Sequence, residues 1–146
     1  MIVFLAPYPD EVNSKDGMVQ RVKHVDDLFA DERRIYIDVN IRRHFTAKKI
    51  ICDKTLVLYK MNTFVHIVKL FSLLRHADRI YVHSITGIFN IMPVFPFIES
   101  SKFVLDAHGI FPEELALSKS SRFKIFAWIE KLAFKNSKEL LYFYIK

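Results

Sequence analysis

Residues 102–109, Lys-Phe-Val-Leu-Asp-Ala-His-Gly, decide how this chain is read. The apolar run Phe103–Leu105 reads as a buried strand, and it ends in Asp106, then His108, then Gly109. Pro112-Glu113-Glu114 follows and opens a helix, with Pro112 suited to a first helical turn. The same pattern stands upstream, where the strand Arg79–His83 runs into Ser84. Both segments deliver polar side chains to the end of a strand, where a helix begins.

Working outward, strands alternate with helices. Ile2–Leu5 is a short apolar strand that stops at Pro7 and Pro9. Gly17–Phe29 carries Met18, Val22, Val25 and Phe29 at helical spacing. Arg34–Val39 and Thr55–Tyr59 are rich in aromatic and β-branched residues and read as strands. Asn62–His76 reads as a helix with one narrow polar stripe of His66, Lys69, Ser72 and His76, so it is expected to be largely buried. Ser121–Lys135 is an amphipathic helix, and Leu140–Ile145 is a last strand. No repeat period and no Gly/Ser/Pro-rich linker divides residues 1–146, so a single domain is expected. The order predicts an α/β fold: a doubly wound, mostly parallel Rossmann-like sheet of about six strands in three layers.

Composition narrows the class. The chain has 146 residues, 51% hydrophobic and 26% charged, with 14 Phe, which excludes a disordered or low-complexity polymer and supplies a bulky core. The lone Cys52 excludes an intramolecular disulfide and a cysteine-based zinc site, and favours a reducing, cytoplasmic setting. No secretory signal is expected, because Met1 leads directly into a strand. Ile80–Ile98 is free of charge but holds His83, Asn90, Pro93 and Pro96, so strand, loop and short helix are expected there rather than a membrane span. The net charge of +6 is uneven. Residues 42–60 set six Lys/Arg against Asp53, and residues 119–146 set seven against Glu130 and Glu139. Two basic segments on an otherwise acidic chain point to an anionic partner or to a solvated basic surface.

The glycines Gly17, Gly87 and Gly109 each follow a strand, and parallel strands place such turns on the one sheet edge where ligands bind. There His108 reads as a donor to a sugar hydroxyl or phosphate oxygen or as an acid–base group, with a turn cap as the alternative. His83 and Ser84 read as pocket lining, or His83 as a satisfied core histidine. No carboxylate or third histidine stands at a ligand spacing from the two histidines, so no metal is expected. Asp16-Gly17-Met18-Val19-Gln20-Arg21 lies where a dinucleotide fold places its phosphate loop. With one glycine it lacks the G-x-G-x-x-G fingerprint, which leaves Gly17 and Arg21 to approach a phosphate or a sugar. Glu113 and Glu114 are adjacent and form no hydrolase dyad; as helix-start carboxylates they would favour the helix dipole. Ser84, Ser100 and Ser101 show no G-x-S-x-G context and Cys52 has no matched base, so nucleophilic catalysis is not indicated. The helix at 121–135 carries Phe123, Phe126, Trp128, Ile129, Leu132 and Phe134 beside five Lys/Arg at or near it, more aromatic surface than one core stripe hides. It reads as a membrane or partner interface, or as a core helix with snorkelling lysines.

Four segments together, Phe4-Leu5-Ala6-Pro7-Tyr8-Pro9, Asp16-Gly17-Met18-Val19-Gln20-Arg21, Tyr81-Val82-His83-Ser84 and Asp106-Ala107-His108-Gly109-Ile110-Phe111-Pro112-Glu113-Glu114, resemble the amino-terminal half of a bacterial glycosyltransferase of the retaining, GT-B type, family four. The resemblance spans essentially all 146 residues and lies in the order and strand-end placement of the segments. It implies the acceptor-side half of a transferase that moves a sugar from a nucleotide-sugar to a glycan or lipid-linked acceptor. The carboxy-terminal donor domain is absent from these residues, so this chain alone is expected to be inactive. The resemblance puts His108 near the transferred sugar, Gly17 and Arg21 at the donor side, and His83, Ser84, Gly109 and Glu114 along the acceptor cleft. The family's loop after its first strand often has two glycines, and here only Gly17 matches. It implies no cofactor or metal beyond the nucleotide-sugar co-substrate, and a cytoplasmic protein, peripheral at the inner face of the membrane.

Two rivals stand beside it. One is a non-catalytic Rossmann-like module docking on anionic membrane or nucleic acid, the latter disfavoured because no RNA-binding motif is present. The other is a flavodoxin-like receiver domain, for which Asp10, Glu11 and Asp16 supply only a loose acidic cluster.

Overall fold

A computed structural model describes residues 1–10, 16–108, 122–136 and 139–143. The elements run β1 (Ile2–Leu5), α1 (Gly17–Asp27), β2 (Arg34–Asn40), β3 (Lys48–Ile51), β4 (Leu56–Asn62), α2 (Ile67–Arg75), β5 (Arg79–His83), α3 (Ile85–Ile91), β6 (Phe103–His108), α4 (Phe123–Asn136) and β7 (Glu139–Phe143). Two single 3-10 turns, Phe95–Phe97 and Ser100–Lys102, join α3 to β6. The strands form one sheet in the order β3-β4-β2-β1-β5-β6-β7. Every neighbouring pair is parallel except β3 with β4. The fold is thus α/β and Rossmann-like.

Alternation along the strands divides the core in two. Val3, Leu5, Ile35, Ile37, Ile80, Val82 and Leu105 face one side, where Leu70 and Leu74 of α2, Ile88 of α3 and Ile129 of α4 pack on them. Ile2, Phe4, Tyr36, Leu56 and Tyr81 face the other, under Val22 of α1. A constant crossover hand explains the layering. The step from β1 to β2 runs one way along the sheet and carries α1 on one face. The steps into β5, β6 and β7 run the other way and carry α2, α3 and α4 on the opposite face. Direction reverses between β1 and β5, which is the topological switch point.

The sheet holds one strand beyond the six read from the sequence, because β3 doubles back on β4 through a turn held by Asp53, and two expectations about the helices need correction. The Asp53 carboxylate accepts from Thr55 N at 2.6 Å, Thr55 Oγ1 at 2.8 Å and Leu56 N at 2.8 Å, an aspartate turn that closes the hairpin. Helix α2 is shorter than Asn62–His76 and buries only Leu70 and Leu74, while Val68 is 80% exposed. Ile67, Phe71 and Leu73 are half-buried against the same core, and the opposite side of the helix is open. Lys69, expected in the solvent stripe, sets its ammonium 4.6 Å over the Tyr59 ring. In α1 the inward stripe is Val19, Val22 and Asp26, with Met18 exposed. Asp26 turns inward because Arg34 Nη1 donates to it at 2.7 Å. Burial still pushes the Asp26 carboxyl above its ordinary pKa, against the pull of Arg34.

Candidate functional site

The carboxyl ends of β1, β2 and β5 meet at the switch point around a cavity of about 140 Å³. Its polar lining is Asp38 and Asn40 from β2, His83 from β5, and Thr86 and Asn90 from α3. Ala6, Pro7 and Asp38 also border a second hollow of about 330 Å³, floored by Tyr36 and walled by Tyr8, Asp10, Lys48 and Lys60. The two form one continuous rim. The Tyr8 ring stands edge-on to Tyr36 at 5.0 Å. Lys48 and Lys60 are cross-strand partners, so two ammonium groups face each other across the hairpin. His44 reaches Asp38 at 3.1 Å from a backbone with φ of 60°.

Behind His83 lies a buried carboxylate. Asp106 is wholly buried (0% exposed) and pairs in register with His83 on the neighbouring strand. Arg21 Nε donates to its Oδ2 at 2.6 Å, and the Tyr81 hydroxyl donates to the same oxygen. His83 Nδ1 stands 3.8 Å from that oxygen, near enough for charge attraction and too far for a hydrogen bond. Burial, then the Asp106 bond, pushes the Tyr81 hydroxyl far up, so it stays a proton donor throughout the physiological range.

The link from β5 to α3 is strained. Ser84 has φ of 80° and ψ of 160°, a region that is essentially glycine's own. Ser84 N donates to Asp106 O at 3.1 Å, and its hydroxyl meets that of Thr86 at 2.6 Å, which holds the conformation. One turn on, Gly87 lets α3 press against the sheet, because a Cβ there would lie 2.7 Å from Val82 Cγ1 and 3.6 Å from Leu5 O.

The structure brings together Arg21, His83 and Asp106, and it puts His83 in the cavity wall. Ser84 follows His83 but lines neither hollow. His108 is the last residue of β6, two positions past Asp106, so its backbone shares the edge with His83. Gly17 is the first residue of α1 and lines neither hollow. Gly109, Glu113 and Glu114 lie outside the described residues. Asp38, Asn40, Thr86, Asn90 and Tyr8 were not singled out from the sequence as site residues. The strand-end rule applied to Arg34–Val39 would have reached Asp38 and Asn40; nothing local marks Asn90. Among the described residues no group of three or more His, Cys, Asp and Glu side chains gathers to hold a metal ion, and no helix is long and apolar enough to cross a membrane. Comparison with protein-family models, with curated proteins and with solved structures found no match to the chain.

Proposed function

We propose that the chain is the acceptor-side half of a sugar transferase, which holds the hydroxyl that receives a sugar from a nucleotide-sugar bound by a second, donor-side domain. The observation that carries this reading is the switch-point cavity, with one carboxylate, two carboxamides, a threonine hydroxyl and an imidazole converging on about 140 Å³. Groups that between them donate and accept suit a polyol in this cavity, and the paired cations that would suit a phosphate, Lys48 and Lys60, stand in the adjoining hollow instead. The adjoining hollow of about 330 Å³ adds tyrosine faces, against which the C–H faces of a second sugar can rest, and lies within the usual size range of ligand sites. Transfer between two bound substrates needs positioning and charge stabilisation rather than a protein nucleophile. In this reading His83 contacts the acceptor, with Asp106 as a negative charge behind it, and His108 stands on the same edge nearer the donor. The setting that goes with it is cytoplasmic, at the inner face of the membrane, with the nucleotide-sugar as co-substrate and no metal.

The test is retention of the full chain on a glycan array, with Asn90→Ala and His83→Ala in parallel and circular dichroism as the folding control. Retention of one class of glycan that both variants lose supports the reading. A chain that retains none, or retains glycans equally in both variants, ends it.

A further inference from the structure

The hollow of about 330 Å³ lies over the β2–β4–β3 side of the sheet, and register sets its lining in two rows. Tyr36, Leu58 and Ile50 are partners across β2, β4 and β3 and form an apolar row. Two residues further along β2 and β4, Asp38, Lys60 and Lys48 are partners in the same way and form a charged row.

The charged row is unbalanced. Lys48 and Lys60 stand directly opposite in an antiparallel pair, their Cβ atoms about 5 Å apart, where like charges repel. Neither ammonium has an ion pair or hydrogen bond among the described residues. Asp38 is the carboxylate of the row, and His44 Nε2 stands 3.1 Å from it. Asp10, the other acid of the hollow, enters from the segment after β1 together with Tyr8. An anion between the two ammonium groups removes their repulsion and gains charge-assisted hydrogen bonds from both.

The arrangement selects the kind of anion. Two cations that face each other suit a single carboxylate or phosphate group. A polyanion such as nucleic acid binds through many cations, and Asp10 and Asp38 in the same wall would repel its further charges. The apolar row, with the Tyr8 ring edge-on to Tyr36 at 5.0 Å, offers a face to the C–H side of a sugar ring. Ala6, Pro7 and Asp38 border both hollows, so one ligand can span them.

We infer that this second hollow is a specificity site for an acidic sugar, one that carries a carboxylate or a phosphate. The anion sits between Lys48 and Lys60, and the ring lies against Tyr36, Leu58 and Ile50. On the acceptor-side reading, on which this rests, the sugar next to the accepting one is anionic.

The test uses the full chain on immobilised glycans of one backbone in three forms: neutral, bearing a hexuronate, and bearing a sugar phosphate. Retention of the hexuronate or the phosphate form at least about tenfold above the neutral form is expected, and the form held identifies the anion. Lys48→Met with Lys60→Met should remove that preference and leave retention of the neutral form unchanged. Lys60→Met alone should reduce it. Lys49→Met should not change it, because Lys49 alternates to the other face of β3, its ammonium 6.0 Å over the Tyr59 ring. Both lysines of the pair are exposed, and circular dichroism checks that the variants fold. Equal retention of neutral and acidic forms, a preference that survives in the double variant, or an equal loss in Lys49→Met overturns the inference. Retention of the neutral form alone also overturns it and leaves the transferase reading standing, whereas retention of no form ends both. Displacement of the acidic glycan by single-stranded RNA as readily as by the free acidic glycan marks a general basic surface and overturns it as well.

Discussion

Arg21 and Asp106, 85 residues apart, are joined by a hydrogen bond of 2.6 Å from Nε to Oδ2 that ties helix α1 to the middle of strand β6. Asp106 has no exposed surface, so its charge depends on this partner and on the Tyr81 hydroxyl. Removing one member of a buried pair leaves the other uncompensated, which costs about 3–5 kcal/mol. Arg21→Met leaves the wholly buried Asp106 carboxylate without its cation and is therefore expected to lose about that much stability in urea denaturation. Asp106→Ala leaves Arg21, which is 26% exposed and can turn to solvent, so it should cost less. An equal loss in the two variants would show that burial is not what sets the scale.

Ser84 should be better replaced by glycine. Its φ of 80° with ψ of 160° carries about 1–3 kcal/mol of strain, partly offset in a glycine variant by extra chain entropy of about 0.5–1 kcal/mol. Ser84→Gly is expected to gain about 1 kcal/mol in denaturation, while Ser84→Ala, which keeps the strain and loses the Thr86 contact, should lose stability. A destabilised glycine variant would mean that the hydroxyl contact outweighs the backbone term.

Gly87 and Gly17 should respond oppositely to alanine. At Gly87 the new methyl would lie 2.7 Å from Val82 Cγ1, a β-branched side chain in the closed core, so Gly87→Ala is expected to cost about 1–3 kcal/mol. At Gly17 nothing lies within 4 Å, and Gly17→Ala at the start of α1 should gain about 0.4–1 kcal/mol. Thermal unfolding of the two variants side by side checks the contrast.

Asp53 makes the β3–β4 hairpin sensitive to acid. Its hydrogen bonds from the Thr55 hydroxyl, Thr55 N and Leu56 N hold the carboxyl below its ordinary pKa. A carboxylate depressed in the folded state binds fewer protons there than in the unfolded chain, so stability rises with pH across its titration. The contribution is present above the unfolded value of about 3.9 and is lost as pH falls through the folded value. Asp53→Asn keeps the acceptor and does not titrate, so its unfolding midpoint should fall less steeply than that of the parent from about pH 5 to about pH 3. Parallel slopes would remove Asp53 from the acid response.

The strand and helix order was legible from residues alone, because buried strands declare themselves as short apolar runs bounded by glycine, proline and polar ends. Ile2–Leu5 and Arg79–His83 were legible with their observed bounds, and the strand read at Phe103–Leu105 runs on to His108. The strand β3, Lys48–Ile51, was not legible, since four exposed residues carry no burial pattern and the strand exists through its pairing with β4. The same holds for α2, where an apolar circumference suggested a largely buried helix, whereas only Leu70 and Leu74 are fully buried, Ile67, Phe71 and Leu73 are half-buried against the core and Val68 is exposed.

What the residues determined by themselves was the alternation, the parallel sheet it requires, and the delivery of His83 and His108 to one edge, because period and strand-end chemistry are local. What the tertiary structure decided was company. Asp38, Asn40 and Asn90 come to His83 from β2 and α3, Arg21 comes to Asp106 from α1, and Arg42 comes to Arg122 across 79 intervening positions. Crossover hand and sheet order bring these groups together, and neither leaves a mark on the spacing of the residues concerned.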